Sequence, residues 1–176
     1  NIAGYRNLLK LTSAAYTEGF YYRPRIDKEI LAQCNEGLIC ATACLKGEVP
    51  AALAAGNMQA ARKAAESYAE IFGPDRFFIE LQRHEGDVPD VCEGLIDLAN
   101  EMGLGLIATN DVHFLNADDY DAHNCLCAIS TGRLADDPDR LVYPPNVYLK
   151  GPDEMRSLFP EAAQACDNTV AIAERC

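Results

Sequence analysis

The most suggestive pair of side chains in this sequence is Asp111 and His113, which are separated by a single residue. In an extended segment, residues two apart point to the same side of the chain, so a carboxylate and an imidazole can converge on one point. Together with thiolate, these groups bind Zn²⁺ and similar divalent cations. A metal held there polarises a phosphoryl oxygen and supplies hydroxide at neutral pH. The alternative is that Asp111 caps the next turn and His113 packs against it.

Two further side chains with metal-binding chemistry are Cys44 and His84. Each has an ordinary structural alternative. Cys44 stands among Ala and Leu, where a free cysteine usually behaves as a small buried apolar residue. His84 can equally be a solvated loop histidine that pairs with Glu85.

A fifth candidate, His123, begins the run His-Asn-Cys-Leu-Cys, which resembles a metal-binding cluster but matches no standard zinc spacing. On a helix that starts near Ala117, His123 and Cys127 share a face, whereas Cys125 points elsewhere. We expect the two thiols of this run to lie in the core.

The elements that must position these residues follow from the pattern of apolar residues. Short apolar runs at 37–43, 76–81 and 104–108 have strand length and lack polar alternation, which is typical of strands buried on both faces. Helical periodicity at Met58–Phe72 and at 90–102 fills the intervals. Two consecutive βαβ units predict a parallel sheet with right-handed helical crossovers, hence the α/β class.

The flanks of this core are predicted to be simpler. We expect helices at 5–17 and 161–174, and a loop at 136–152 with one short strand at 147–150. The chain then forms one domain in three parts: a helical lead-in, a βαβαβ core with the site, and a loop followed by a terminal helix (1–35, 36–135 and 136–176).

The site residues follow the predicted strands in order. In parallel α/β folds, ligands bind at the carboxyl ends of the strands. Cys44 follows the first strand, His84 the second, and the Asp111–His113 segment the third. We therefore expect these side chains to face one crevice.

The charge balance limits what this crevice can bind. The 176 residues include 15 Lys and Arg against 27 Asp and Glu, a net charge of −12. Wrapping a nucleic-acid backbone requires a local excess of Lys and Arg, so a role with nucleic acid needs a metal, a basic patch or a neighbouring domain. The sequence also contains no G-x-G-x-x-G or Walker loop for phosphate binding.

Compartment signals point to the cytosol. The chain begins at Asn1 with no signal-peptide pattern, and no apolar run is long enough to cross a membrane. Its eight cysteines include no C-x-x-C pair, which favours reduced thiols. We expect a cytoplasmic piece of a longer protein.

A series of short segments runs along the whole chain in order. They are Gly4-Tyr-Arg-Asn-Leu-Leu-Lys-Leu, Glu18-Gly-Phe-Tyr-Tyr-Arg-Pro-Arg-Ile-Asp27, Cys44-Leu-Lys-Gly-Glu48, Glu80-Leu-Gln-Arg-His84, Ala108-Thr-Asn-Asp-Val-His-Phe114 and Asp137-Pro-Asp-Arg-Leu141. Together they resemble the PHP (polymerase and histidinol phosphatase) domain of the C-family DNA polymerases, the bacterial DNA polymerase III alpha subunits.

The resemblance implies part of a distorted (βα)₇-type barrel with a divalent-metal site at the strand ends. Zn is the favoured metal, with Mn or Mg as alternatives. The family's cysteine ligand falls on Cys44, and its Asp-x-His ligand pair falls on Asp111 and His113. His84 lies near the site as a metal or phosphate contact, and His123 matches a histidine that faces phosphate or nucleic acid.

One departure from the family pattern bears on the site. The family's early His-x-His, Thr-Asp-His-Gly and Gly-x-Glu motifs are absent, and the chain has only three histidines. The resemblance is therefore to the later part of the PHP domain, and the metal site is incomplete within this chain.

The implied function is that of a polymerase segment, with rivals from other classes. The parent extends DNA, and the PHP segment contributes to 3′–5′ exonuclease proofreading or to structural support, while the isolated segment is inactive. Its partners are the rest of the polymerase subunit, DNA through that subunit, and other replisome subunits, with no membrane. Exposed strand edges also favour self-association. The rivals are a free-standing metal-dependent PHP phosphoesterase and a catalytically inactive scaffold or docking domain.

Overall fold

The computed structural model describes residues 1–85 and 90–176. Within those residues, three short strands alternate with eight α-helices. The elements are α1 Ile2–Thr17, α2 Lys28–Gln33, β1 Cys40–Ala41, α3 Glu48–Ala54, α4 Met58–Phe72, β2 Phe77–Leu81, α5 Cys92–Met102, β3 Gly105–Ala108, α6 Tyr120–Thr131, α7 Pro152–Leu158 and α8 Ala163–Arg175.

The three strands form a parallel sheet in the order β1-β2-β3. Phe78 pairs with Gly105 and Leu81 pairs with Ala108, while Cys40 pairs with Phe77 on the other side of β2. Helices connect successive strands, so the predicted α/β class with parallel strands and helical crossovers is confirmed. Among the described residues the sheet is open, which is consistent with part of a PHP-type barrel.

Strand β1 is much shorter than the predicted run 37–43. Its extended backbone is interrupted at both ends by left-handed residues, Gly37 at φ +73° and Ala43 at φ +60°. Gly37 also lies so close to α1 that a side chain at Gly4 would overlap its carbonyl oxygen. The apolar run is therefore divided by a close backbone approach and a turn, which leaves a two-residue strand.

The two crossover helices form where their apolar spacing predicts, and a capping residue marks the start of one and the end of the other. The side chain of Asn57 accepts a hydrogen bond from the backbone N–H of Ala60 at 3.0 Å, which caps the first turn of α4. Helix α5 ends at Gly103, whose φ of +64° is the left-handed conformation that favours glycine at a helix end. These helices confirm the predicted βαβαβ order.

The core lies on one face of the sheet. Phe77, Ile79 and Leu81 point into it from β2 and are fully buried against apolar residues of α4 and α5. Helix α8, close to the predicted 161–174, packs on β3, where Asn168 Nδ2 donates to the Leu106 carbonyl at 2.7 Å. The terminal helix therefore completes the cover of the core.

The predicted strand at 147–150 is wrong. Tyr148 forms only an isolated parallel bridge to Phe114, because the pairing is limited to two backbone hydrogen bonds, from His113 to Val147 and from Leu149 to Phe114. The pattern also missed the short helices α2, α3 and α7. They span six or seven residues each, too few to show a periodic apolar stripe. The three-part division of the chain stays a prediction.

No helix in the two described stretches is both long and apolar enough to cross a bilayer.

Core packing gives the first testable prediction. Leu98 is fully buried in α5 and Leu115 is 66% exposed. Because truncation in a close-packed core leaves a cavity, Leu98→Ala should lower the free energy of unfolding by about 2–5 kcal/mol, whereas Leu115→Ala should change it by less than about 0.5 kcal/mol. Urea denaturation followed by circular dichroism measures both values. Equal losses for the two variants would contradict the described core.

Candidate functional site

A cavity of about 180 Å³ lies at the carboxyl ends of the three strands. Its lining includes Cys44 from the turn after β1, His84 from the segment after β2, and Asp111 from the turn after β3. Three of the predicted site residues therefore face one crevice, as the strand order led us to expect. Whether they bind a metal stays a prediction.

Backbone strain shapes the turn that carries Cys44. The preceding residue, Ala43, has a φ of +60°, a conformation that non-glycine residues rarely adopt. The turn closes when the backbone N–H of Gly47 donates to the Cys44 carbonyl at 2.8 Å. Cys44 is half-buried at the cavity wall. It is therefore neither a fully buried core residue nor a fully exposed one.

The turn after β3 brings the Asp-x-His pair together. Asp111 has a φ of +46°, and its Oδ2 lies 3.4 Å from His113 Nε2. The backbone N–H of His113 donates to the Val147 carbonyl at 2.8 Å, which anchors the turn to the following loop. In the described part of the chain no backbone N–H donates to the Asp111 carboxylate, so it does not cap the next turn. The two side chains lie close together, although Asp111 is not in the extended conformation from which their convergence was predicted.

His84 presents an unpartnered nitrogen. Its Nδ1 is buried and has no hydrogen-bond partner within 1–85 and 90–176. Burial lowers the pKa of His84, against the smaller opposing effect of the Asp111 carboxylate. A neutral imidazole with a free nitrogen can accept a proton or bind a cation. The described residues show no hydrogen bond or ion pair between the side chains of His84 and Glu85, so the alternative in which they pair is not observed.

His123 lies beside His113 rather than on the cavity wall. The two imidazole centroids are 5.8 Å apart, and the ring of Tyr143 packs 3.9 Å from His113 and 5.3 Å from His123. His123 Nε2 lies 3.4 Å from the Cys127 sulfur, so these residues share a helix face as expected. Cys127 is buried, but Cys125 is exposed. The expectation that both thiols lie in the core is wrong for Cys125, because it occupies the outer face of α6.

The sequence reasoning missed two residues at this site. Tyr143 lies in the loop that follows α6, and nothing in its local pattern connects it with the histidines. Glu80 lies inside β2 and accepts hydrogen bonds from both neighbouring strand ends. A carboxylate within an otherwise apolar strand was the available signal, since such a group must find partners when it is partly buried.

Arg83, although close to the site, is engaged in structural contacts. Its guanidinium donates to Asp90 at 3.1 Å and to Glu161 at 2.8 Å, and it also donates to the Leu158 carbonyl. The group lies over the ring of Phe159, 5.4 Å from its centroid. Its positive charge is therefore not free to bind a phosphate.

The described side chains supply only part of the ligand set that a metal ion requires. Within residues 1–85 and 90–176, no three His, Cys, Asp or Glu side chains lie close enough together to hold a metal ion. Asp111 lines the crevice together with Cys44 and His84, whereas His113 lies next to Asp111 and is not part of that lining. PHP domains generally bind metals. The described residues alone do not form a complete site for one.

The open parallel sheet with its strand-end crevice is consistent with part of a PHP α/β fold, and the PHP domain family model matches residues 1–84. Over 100% of its length the chain is 44% identical to the DNA polymerase III subunit alpha of Treponema pallidum, 42% to that of Thermus aquaticus and 38% to that of Campylobacter jejuni. It covers 15%, 15% and 16% of those proteins, respectively. The chain is therefore similar along its whole length to a segment of these DNA polymerase III alpha subunits, and it spans about 15% of their length.

The environments of the eight free thiols give a second prediction. Burial, reinforced by Asp90, raises the pKa of Cys92 to about 12, whereas Cys125 and Cys176 are exposed. Since the thiolate is the reactive form, iodoacetamide at pH 8 should modify Cys125 and Cys176 first and Cys92 last. Peptide mass spectrometry over a time course gives the order. Modification of Cys92 at the rate of Cys125 would contradict the described burial.

Proposed function

We propose that this chain is the PHP segment of a bacterial replicative or related DNA polymerase, and that the whole protein extends DNA from deoxynucleoside triphosphates. The similarity to DNA polymerase III alpha subunits over the full chain supports this proposal. The partners that follow are the rest of the polymerase subunit, DNA through that subunit, and other replisome subunits. Such a protein works in the cytoplasm, where the bacterial chromosome lies.

Within that polymerase, the proposed role of this segment is to supply part of a divalent-metal site. The observation that carries the proposal is the convergence of Asp111 and His113, 3.4 Å apart, at the carboxyl end of β3. Cys44 and His84 are the further donors, and residues of the longer protein outside this chain complete the set. Carboxylate, imidazole and thiolate together suit Zn²⁺, and Mn²⁺ or Mg²⁺ are the alternatives.

The chemistry proposed for a completed site is 3′–5′ hydrolysis of DNA. A bound metal ion polarises a phosphoryl oxygen and lowers the pKa of a bound water. The chain's own contribution is to orient the donors. Asp111 is fixed by its turn, His113 is held between Asp111 and the Tyr143 ring, and His84 offers an uncharged nitrogen.

Net charge supports a metal-mediated contact with DNA. A segment of charge −12 repels the phosphate backbone, and Arg83 is occupied by Asp90 and Glu161. The isolated chain is accordingly expected to be inactive on DNA. It is also expected to self-associate, because Ile2, Tyr5 and Leu8 expose apolar surface beside the edge strand β1.

A second candidate function is a scaffold without catalysis. It is favoured by the incomplete donor set among the described residues. The free-standing phosphoesterase is the weaker rival, because the similarity to polymerases continues to the last residue of the chain. The metal content of the longer polymerase distinguishes the two functions, because a scaffold needs no bound metal ion and a metal site does.

The proposal predicts that the purified longer polymerase contains a divalent metal by elemental analysis. Asp111→Asn and His113→Ala should each weaken metal affinity by more than the roughly 10–100-fold that outer-shell substitutions cost, because each removes a ligand. Asp118→Asn is the matched control, since Asp118 is an exposed carboxylate outside the crevice. A wild-type protein without metal, or one whose metal survives both substitutions, would favour the scaffold.

A further inference from the structure

Glu80 connects the ends of all three strands. Its Oε2 accepts a hydrogen bond from the backbone N–H of Ala43 at 3.2 Å, beyond β1. Its Oε1 accepts from the Thr109 hydroxyl at 2.5 Å, beyond β3, and from Gln82 Nε2 at 3.2 Å. The backbone N–H of Glu80 in turn donates to the Thr42 hydroxyl at 2.8 Å. One side chain therefore bridges the two turns on either side of β2.

These two turns contain the strained backbone of the site. Ala43 at φ +60° comes directly before Cys44, and Asp111 at φ +46° comes two residues after Thr109. Left-handed conformations of non-glycine residues persist only when surrounding contacts hold them, and such residues cluster at functional sites. The Glu80 carboxylate supplies one of those contacts to each turn.

From this arrangement we infer that Glu80 is a positioning residue, which fixes the Cys44 turn relative to the Thr109–Asp111 turn at the spacing the site requires. The inference rests on the proposed metal-site function. Glu80 does not itself act as a ligand in this account, because its two oxygens already accept three hydrogen bonds from the turns and from Gln82. Its half-buried position in β2 directs it at these partners.

The chemistry of the contact predicts a graded response to substitution. A carboxylate accepts at both oxygens, as the Ala43 N–H and the Thr109 hydroxyl require. In Glu80→Gln, the amide oxygen can still accept the hydrogen bond from the Ala43 N–H, and the amide NH₂ group can donate one to the Thr109 oxygen. This variant therefore retains part of the bridge. Leucine has a similar size and no polar atom, so Glu80→Leu removes the bridge.

The first test measures the Cys44 turn directly, without metal, in the 176-residue chain. Site-resolved mass spectrometry gives the alkylation rate of each cysteine under native conditions. Glu80→Leu should raise the Cys44 rate about tenfold, and Glu80→Gln should raise it less. Glu70→Leu, an exposed position on α4, is the matched control and should leave the rate unchanged.

Cys92 distinguishes positioning from loss of the whole fold. It is fully buried, so a merely destabilised protein exposes it in parallel with Cys44. The inference predicts that Glu80→Leu raises the alkylation rate of Cys44 and leaves the alkylation rate of Cys92 unchanged. Thr109→Val, which removes only the hydroxyl donor, should also raise the alkylation rate of Cys44 without raising that of Cys92, but by a smaller factor than Glu80→Leu. Parallel acceleration of both cysteines, or an unchanged Cys44 rate in Glu80→Leu and Thr109→Val, overturns the inference.

The second test uses the longer polymerase and a Zn²⁺ titration. Glu80→Leu should weaken Zn²⁺ binding by about 10–100-fold, the range for residues that orient ligands, and Glu80→Gln should recover most of it. The two proposals fail differently. A wild-type polymerase that binds no metal overturns the proposed function. In that case, a faster alkylation of Cys44 alone in Glu80→Leu still supports the conclusion that Glu80 fixes the Cys44 turn. Metal binding unchanged in Glu80→Leu overturns the positioning role alone.

Discussion

The parallel pairing of three short strands is the constraint on which the site depends. Because β1, β2 and β3 run in the same direction, the segments that follow them emerge at one edge of the sheet, and the hydrogen bonds from Thr42 to Phe78 and from Thr109 to Leu81 extend the pairing to that edge. Gly105 permits this pairing, since any side chain there would overlap the Phe78 ring. A slip of register would separate the Cys44, His84 and Asp111 segments.

Polar contacts then convert this shared edge into a defined crevice. Glu80 bridges the turns beside it, Asn110 holds the loop that carries Tyr148, and Arg83 joins the segment after β2 to Phe159 and Glu161. Each of these groups is occupied by the fold. Among the described residues, Cys44, the unpartnered nitrogen of His84 and the Asp111–His113 pair remain available to a ligand, and in an acidic segment the ligand they suit is a cation.

The sequence predicted the features that depend on local spacing. Helix α4 and the order of the strands follow from the pattern of apolar residues. The proximity of Asp111 and His113 was expected from their separation by one residue, although a left-handed Asp111 takes the place of the extended backbone assumed there. It did not predict features that depend on distant contacts. The length of β1 is set by the approach of Gly37 to α1, and Tyr143 meets the histidines because its loop packs against the segment that follows β3. Local patterns carry no signal for such contacts.

The central claim is that the strand-end crevice holds part of a metal site, and anomalous X-ray diffraction from crystals of the longer polymerase tests it most directly. Data collected at the Zn and Mn edges locate the ion and identify it. The account predicts an anomalous peak with the Asp111 carboxylate and a His113 nitrogen at bonding distance, about 2.0–2.2 Å for Zn²⁺. A metal bound elsewhere in the polymerase, with Asp111 and His113 outside its coordination shell, would contradict the account.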